Sequence, residues 1–280
     1  NLAALHASNP RKSVGGYFEK RMPAPFSMPN LNLQDFISVP HSFNSEIPPN
    51  VHLLAGDPIV ELQANAIATL ANTQIPGTDT WLAVIDWVSD FMNLTGETYK
   101  QVFIDSNPSF SVYTQIALST AEKLVLPVMS DDSSRRAIQN MFSLIHGINV
   151  PAGTNYSPFS FPTKLTNAGR SLPLVHLIVK NRLTQYMGAA SAYKSVLLSI
   201  DNDVNAALSS HPPAFTFSRI EDGSVEIRDF QTTGVVAMAK GLPLSRLRSG
   251  NHTIMGRRTR IKEDNLANCR SSIDDLVGKL

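Results

Sequence analysis

The chain has one cysteine, Cys269, and so can form no internal disulfide and no thiolate cluster able to hold a metal. That scarcity suits a reducing compartment, and the single thiol reads as a small apolar side chain on a helix face. No apolar run approaches the length of a membrane-spanning helix. The opening NLAALHASNPRKS lacks the charged, then apolar, then small-residue order of a secretory signal. The expectation is a cytoplasmic protein with no membrane partner. Its seven histidines show neither His-x-x-x-His nor His-Cys spacing, which excludes a recognisable zinc site. There is no G-x-S-x-G elbow for a hydrolase triad and no G-x-G-x-x-G for an oxidoreductase dinucleotide fold. No internal repeat at a fixed period is present either.

The 280 residues are 42% hydrophobic and 17% charged, enough to bury one good core, so residues 1–280 read as a single domain with elaborations. Residues 1–50 are rich in Pro, Asn and Ser and read as a variable surface excursion over 8–50, with a short helix near Leu33 to Ile37. Residues 51–242 carry the expected sheet and helices. Residues 243–280 hold a basic segment and a terminal helix.

Short apolar runs alternate with helical patterns. VHLLAG, 51–56, reads as a strand, and a helix is expected from about Pro58, which suits a first helical turn, with Asp57 as cap. In TDTWLAVIDWVSDFMNL, Trp81, Val84, Ile85, Val88, Phe91 and Met92 recur at helical spacing behind Thr78 or Asp79. VFID, 102–105, reads as a strand, FSVYTQIALSTA as a helix and KLVLPVM as a strand. A helix then begins near Ser133, with Ile138, Met141, Phe142, Ile145 and Ile148 as its stripe. LPLVHLIVKN is the next strand, AASAYKSVLLSIDNDVNAAL the next helix, SVEIRDF a strand and TTGVVAMAKGL a short helix. Leu266, Cys269, Ile273, Leu276, Val277 and Leu280 mark the last helix. Strands apolar on both faces, alternating with helices, imply a parallel sheet covered on both sides. The expected fold class is α/β, doubly wound.

In such sheets ligands bind outside the carboxyl ends of the strands. Asp105, Ser130 to Asp132, and Asn181 fall at such ends. An acid at the tip of a buried strand can hold Mg2+ through a water, because Mg2+ demands oxygen ligands and keeps much of its hydration. Spacing alone leaves a helix cap or turn aspartate as an equal alternative for Asp105.

The block VFIDSNPSFSVYTQIALSTAEKLVLPVMSDDSSRRAIQNMF resembles the second half of the ParA/MinD-type deviant Walker ATPases. In that family an apolar strand ends in Asp, small residues and Pro, a helix follows, and a second apolar strand ends in Pro-Val. The family's IDtPP stands here as IDSNP, with Asn107 in place of the first proline. The similarity continues through IVKNR and GLPL and covers roughly residues 51–280, with the DSNP block in its context as the specific part. The resemblance implies a P-loop NTPase fold and a role for each matching residue. Asp105 takes the Walker B role, positioning the Mg2+ shell. Ser106, Asn107 and Pro108 form the switch that senses the γ-phosphate. Asn181 matches a strand-end asparagine whose amide, both donor and acceptor, pairs with the adenine edge, while Asp229 and Phe230 flank the base. A buried structural asparagine is the alternative for Asn181.

The family's phosphate cradle, KGGxGK followed by Ser or Thr, is missing. KSVGGYFEKR offers Lys12, Gly15 and Gly16 but no Lys-Ser/Thr pair opening a helix, and is not read as a P-loop. Either the sequence lacks an N-terminal βαβ-type unit, which is the expected case, or it is a natural pseudo-ATPase with half a site. In both cases these residues alone are expected to bind ATP poorly.

Between Arg246 and Lys262 lie six basic residues and no acid: Arg246, Arg248, Arg257, Arg258, Arg260 and Lys262. Without aromatic interleaving, such a segment is either a solvated face or a phosphate-backbone contact. The resemblance implies the second, as nonspecific DNA binding by an ATP-bound homodimer. It further implies a ParB-like centromere-binding partner, nucleoid association and a role in plasmid or chromosome partition. A non-catalytic scaffold or DNA-binding interaction protein of the same fold is the rival reading.

Overall fold

The computed structural model describes residues 2–106, 109–150, 159–183 and 191–280, with the backbone alone at 191 and 192. The chain divides into two compact units, Asn1–Ala121 with Lys164–Ser171, and Glu122–Thr163 with Leu172–Leu280. Among the described residues no helix is long and apolar enough to cross a membrane.

The first unit is helical, with α1 (Leu2–Ala7), α2 (Val14–Arg21), α3 (Ile59–Asn72), α4 (Thr80–Ile85), α5 (Trp87–Thr95) and α6 (Val112–Thr120). Asp57 ties its start together. The Asp57 carboxylate is fully buried and accepts both Arg11 Nε and Nη2 at 2.9 Å, Ser13 Oγ at 2.7 Å and the amide of Ile59 at 3.1 Å. The expected cap is thus also the anchor of an ion pair. Burial alone would push this carboxyl up, but the hydrogen bonds from Arg11, Ser13 and Ile59 and the guanidinium charge outweigh it, holding it at about 2. Ser13 caps α2 by accepting from the Gly16 amide at 3.1 Å. Gly15 and Gly16 serve close packing: a Cβ on Gly16 would meet the Arg11 carbonyl at 2.1 Å, and one on Gly15 would meet Ile59 Cγ2 at 2.2 Å.

The stretch expected as a surface excursion therefore holds core. Tyr17 and Phe18 are buried and pack with Phe36, Trp87 and Phe91 in edge-on and tilted contacts at 4.9–6.4 Å. Arg21, 1% exposed, lies over the Trp87 ring and bonds Asp90 at 2.6 Å. Its flanking Glu, Lys and Arg disguise this helix as a loop in the sequence. The short helix near Leu33 is a single turn, Leu33–Asp35.

Three expectations need correction here. The expected single helix over 79–95 breaks at Asp86, whose φ of −78° and ψ of 0° leave the helical region. The break turns Trp87 inward, fully buried, in place of the anticipated Val88. The cap is Asp79, which accepts from the Leu82 amide at 2.9 Å. Residues 51–56 form isolated bridges, Leu53 with Ser38 and Ala55 with Ser13, rather than a strand. Residues 102–105 are irregular and exposed, with Phe103 at 69%. An apolar run becomes a strand only when a neighbour supplies its hydrogen bonds, and no described residue does so here.

The second unit holds the sheet. Strand β1 (Lys123–Val128) leads to α7 (Asp132–His146), α8 (Phe161–Asn167) is divided between the two units, and β2 (Leu174–Leu183) leads to α9 (Ser191–Ser210). After β3 (Ser224–Arg228) come α10 (Gln231–Lys240), β4 (Gly250–Ile254), β5 (Arg257–Ile261) and α11 (Glu263–Val277). β1, β2 and β3 pair in parallel with β2 central. One face is covered by Ile138 and Phe142 of α7 and Ile200 and Val204 of α9, packed on Val175 and Ile178. The other takes Leu276 and Leu280, at the end of α11 and beyond it, against Leu177, Val179, Val225 and Ile227. α7 begins at Asp131, which accepts from the Ser134 amide at 2.7 Å, and ends at Gly147, whose φ of 69° places it in the left-handed region. The α/β reading with a parallel sheet holds, and the sheet has three strands. β4 and β5, in the segment read only as basic, pair antiparallel.

Asp57 generates a test. A carboxyl held at about 2 contributes stability that is present above the unfolded value of roughly 3.9 and is lost as pH falls from there toward about 2. Asp57→Ala should cost about 2 kcal/mol at pH 7, because it removes the acceptor of the buried Ser13 hydroxyl and of the Ile59 amide along with the Arg11 ion pair. In urea titrations the gap to wild type should narrow below pH 4; a gap independent of pH would refute the ion-pair account.

Candidate functional site

The carboxyl edge of the three parallel strands gathers most of the polar groups singled out by sequence. At the end of β1, Met129 is exposed, and its amide donates to Ser134 Oγ at 3.0 Å. Ser130 and Asp131 are half-buried there, Asp131 being used as the helix cap, and Asp132 pairs with Arg136 at 2.7 Å on the surface.

At the end of β2, Asn181 is half-buried, and its Oδ1 accepts from the Arg182 amide at 2.8 Å. Arg182 has φ of 57°, so the strand bends sharply before its last residue. Leu183 still pairs with Arg228 of β3, and its carbonyl accepts from the Asp229 amide at 2.9 Å. This hydrogen bond brings Asn181 and Asp229 to the same edge of adjacent strands. The Asp229 carboxylate accepts from the Gln231 amide at 2.9 Å and starts α10. Phe230 packs against the core of the α11 face, with Leu276 and Leu280 as neighbours in the cluster.

Sequence reasoning missed Lys180. It is 8% exposed in the middle of an apolar strand, with Nζ 2.8 Å from Asp201 of α9. The other Asp201 oxygen, Oδ1, is buried and has no hydrogen-bond partner among the described residues. The signal was the lysine itself, since a lysine closing HLIV must be paired or reach water. The pair sits one residue before Asn181 and fixes the end of β2 to α9.

Asp105 and Ser106 lie in the first unit and are exposed. Asn107 and Pro108 lie outside the described residues. Among the described residues no group of three or more His, Cys, Asp or Glu could hold a metal. His146 is half-buried, and burial lowers it to about 4, with the charge of His211 adding to the effect, so its imidazole is neutral at pH 7. Cys269 is buried, and burial raises its thiol, as expected of a packing residue.

The basic segment forms the other candidate. Arg257, Arg258 and Arg260 lie on β5 and are exposed, as are Arg246, Arg248 and Lys262 on either side. Arg257, Arg258, Arg260 and Lys262 pair with no carboxylate among the described residues.

Chemically, the sheet edge offers the Asn181 amide and the Asp229 carboxylate at the ends of adjacent strands, groups able to exchange hydrogen bonds with a polar ligand, while the Phe230 ring is packed into the α11-side core. Among the described residues that edge offers no phosphate cradle. The described residues do not by themselves fit Mg·ATP, because Asp105 stands exposed and apart from any carboxylate cluster, and the 280 residues contain no Gly-Lys-Ser/Thr loop. No family model, no curated protein and no solved structure matches the chain.

The Lys180–Asp201 pair is testable by a double-mutant cycle. Lys180→Met alone should cost about 3 kcal/mol in urea unfolding, by stranding a carboxylate, and adding Asp201→Leu should restore most of it. Additive destabilisation would show that the pair is not the anchor of this edge.

Proposed function

We propose that this chain is the bulk of a ParA-like partition ATPase, an ATP-gated dimerisation switch that binds DNA without sequence preference. The observation that supports it is the placement of the matching residues. The Pro-Val strand end, the asparagine of IVKNR and the Asp-Phe pair occupy the carboxyl ends of β1, β2 and β3, in a parallel sheet ordered β1-β2-β3. That edge is where open parallel sheets bind ligands. Asn181 takes the base edge, with Asp229 and Phe230 beside it. The resemblance gives Asp105 the Mg2+ role and Ser106, Asn107 and Pro108 the γ-phosphate switch.

The reading requires a phosphate-binding loop from outside these 280 residues, and hydrolysis is not expected of them alone. Its partners are a second copy of the chain, a ParB-like centromere-binding protein and DNA. One specific observation favours a second reading, a non-catalytic scaffold of the same fold: the sequence has no Gly-Lys-Ser/Thr loop at all.

Molar mass by light scattering of the intact native gene product separates the two. With Mg·ATP it should double, and Asp105→Ala should abolish the doubling. Asn181→Ala should weaken nucleotide binding by about tenfold, the equivalent of one good hydrogen bond, without lowering the unfolding midpoint. A native product that contains no phosphate loop and stays monomeric with ATP sinks the switch and leaves the scaffold.

A further inference from the structure

The carboxyl end of β2 holds the candidate site; its other end borders a cavity that the proposed function does not use. After α9 the chain turns through Pro212–Ala214 and runs beside the start of β2, where Phe215 bridges Val175 in parallel and the Thr216 amide donates to the Val175 carbonyl at 3.0 Å. Between this run and the last two turns of α9 lies an open cavity of about 330 Å³, near the lower bound for small-ligand sites. Its polar lining is Asn205 and Ser209 of α9 with Thr216 and Ser218 of the run. The Thr216 hydroxyl is engaged with His176 Nδ1 at 2.7 Å. The side chains of Asn205, Ser209 and Ser218 have no hydrogen-bond partner among the described residues.

Two further acceptors come from the helix end itself. Pro212 and Pro213 have no N–H, so the carbonyls of Leu208 and Ser209, four residues earlier, lack the donors that would continue the helix. The apolar side is the Phe217 ring, half-buried and edge-on to Phe215 at 5.3 Å. Gly223 makes room for it, since a Cβ there would meet the ring at 2.1 Å. The ring is therefore in place before any ligand arrives.

We propose that this cavity binds an uncharged, polyhydroxylated ring, a monosaccharide or a cyclic polyol. The charge pattern excludes the ionic classes. No described residue lining the cavity is charged, and the neighbouring Arg219 and Asp222 neutralise each other at 3.0 Å. One wall is the C-terminal end of a 20-residue helix, whose partial negative charge disfavours phosphate and carboxylate groups. A cation gains from that helix end but finds no carboxylate to replace its hydration. What remains is an amide and hydroxyls that both donate and accept, beside carbonyls that only accept. A ring of hydroxyls answers both, and its C–H face covers the Phe217 ring. A wholly apolar ligand would bury the same carbonyls without a donor. The site lies at the opposite end of β2 from Asn181 and goes beyond the proposed function, needing neither nucleotide nor DNA.

The test is an NMR titration of the isotope-labelled 280-residue chain with methyl β-glucoside, methyl β-galactoside and myo-inositol, and with glucose 6-phosphate as the anionic probe. A single neutral ring should bind with Kd of about 1 mM, the range open to a dozen or so heavy atoms, and should shift the amides of Thr216, Phe217 and Ser218. Asn205→Ala/Ser218→Ala, at two exposed positions, should weaken binding at least tenfold, and Phe217→Ala should abolish it. Asn140→Ala, exposed on α7 and outside the lining, should leave Kd unchanged. Thermal melts check each fold; if Phe217→Ala melts early, the exposed double variant decides alone. Three results overturn the assignment: no shift at the cavity from any neutral probe at about tenfold the expected Kd, an unchanged Kd in the double variant, or glucose 6-phosphate binding as tightly as the neutral rings. Because neither Mg·ATP nor DNA is present, failure here leaves the partition reading standing, and failure of the mass measurement leaves this site standing.

Discussion

The sheet depends on one constraint: β2 is hidden on both faces and along both edges. Val175 and Ile178 face α7 and α9, Leu177 and Val179 face the α11 side, and the backbone pairs with β1 and β3. A strand so enclosed can carry polar groups only at its ends or in pairs, because an unpaired one would forfeit its hydration with nothing in return. Lys180 obeys by meeting Asp201, and Asn181 obeys by reaching the edge. The polar edge is thus a by-product of burying the middle. This is why parallel sheets offer ligand sites at one end, whatever the ligand proves to be.

The first unit meets the same problem with a buried carboxylate instead of a buried strand. Asp57 receives two guanidinium N–H groups, a hydroxyl and a backbone amide, enough to satisfy both oxygens. Full satisfaction is what lets a charge sit at zero exposure. It also explains the two adjacent glycines, which let the Arg11 carbonyl and the Asp57 carboxylate approach the first turn of α2. A glycine pair that looks like half of a phosphate loop is, in the fold, a close-packing device.

Legibility in the sequence follows how local the cause of each element is. α7 was readable because cap, stripe and terminal glycine all lie within one segment, from Asp131 through Ile138 and Phe142 to Gly147. β2 was readable because its apolar content matches its burial; β1 reads as equally apolar yet leaves Val125 and Pro127 exposed at the sheet's edge, and β3 alternates, with Val225 and Ile227 inward and Glu226 exposed. Residues 102–105 have the same composition and no strand, since pairing depends on a distant neighbour that composition cannot report. α2 was hidden for the opposite reason: Tyr17 and Phe18 are buried within a polar sequence whose partners, Trp87 and Phe91, come some 70 residues later. Of the candidate site, Asn181 was legible from the strand-end rule, while Asp229 and Phe230 came with the resemblance; the structure places Asn181 at the end of β2, Asp229 just past the end of β3, and Phe230 against the α11-side core. Lys180 was not, because the rule looks for polar residues after the apolar run and this one is its last member.

The β4–β5 hairpin shows how register decides what a charge can do. Along RRTRI the side chains alternate, so one pairing buries Ile261 and exposes Arg258 and Arg260. A slip of one residue would turn Arg258 and Arg260 toward Val236 and Leu266, where no carboxylate waits. Two apolar anchors, Ile254 and Ile261, at opposite ends of the hairpin exclude that slip, and the two-residue turn at Met255-Gly256 fixes the count between the strands. Composition alone left this segment open between a solvated face and a phosphate contact. The paired register adds to that composition a fixed placement, with Arg258 and Arg260 two residues apart on one exposed face of the hairpin.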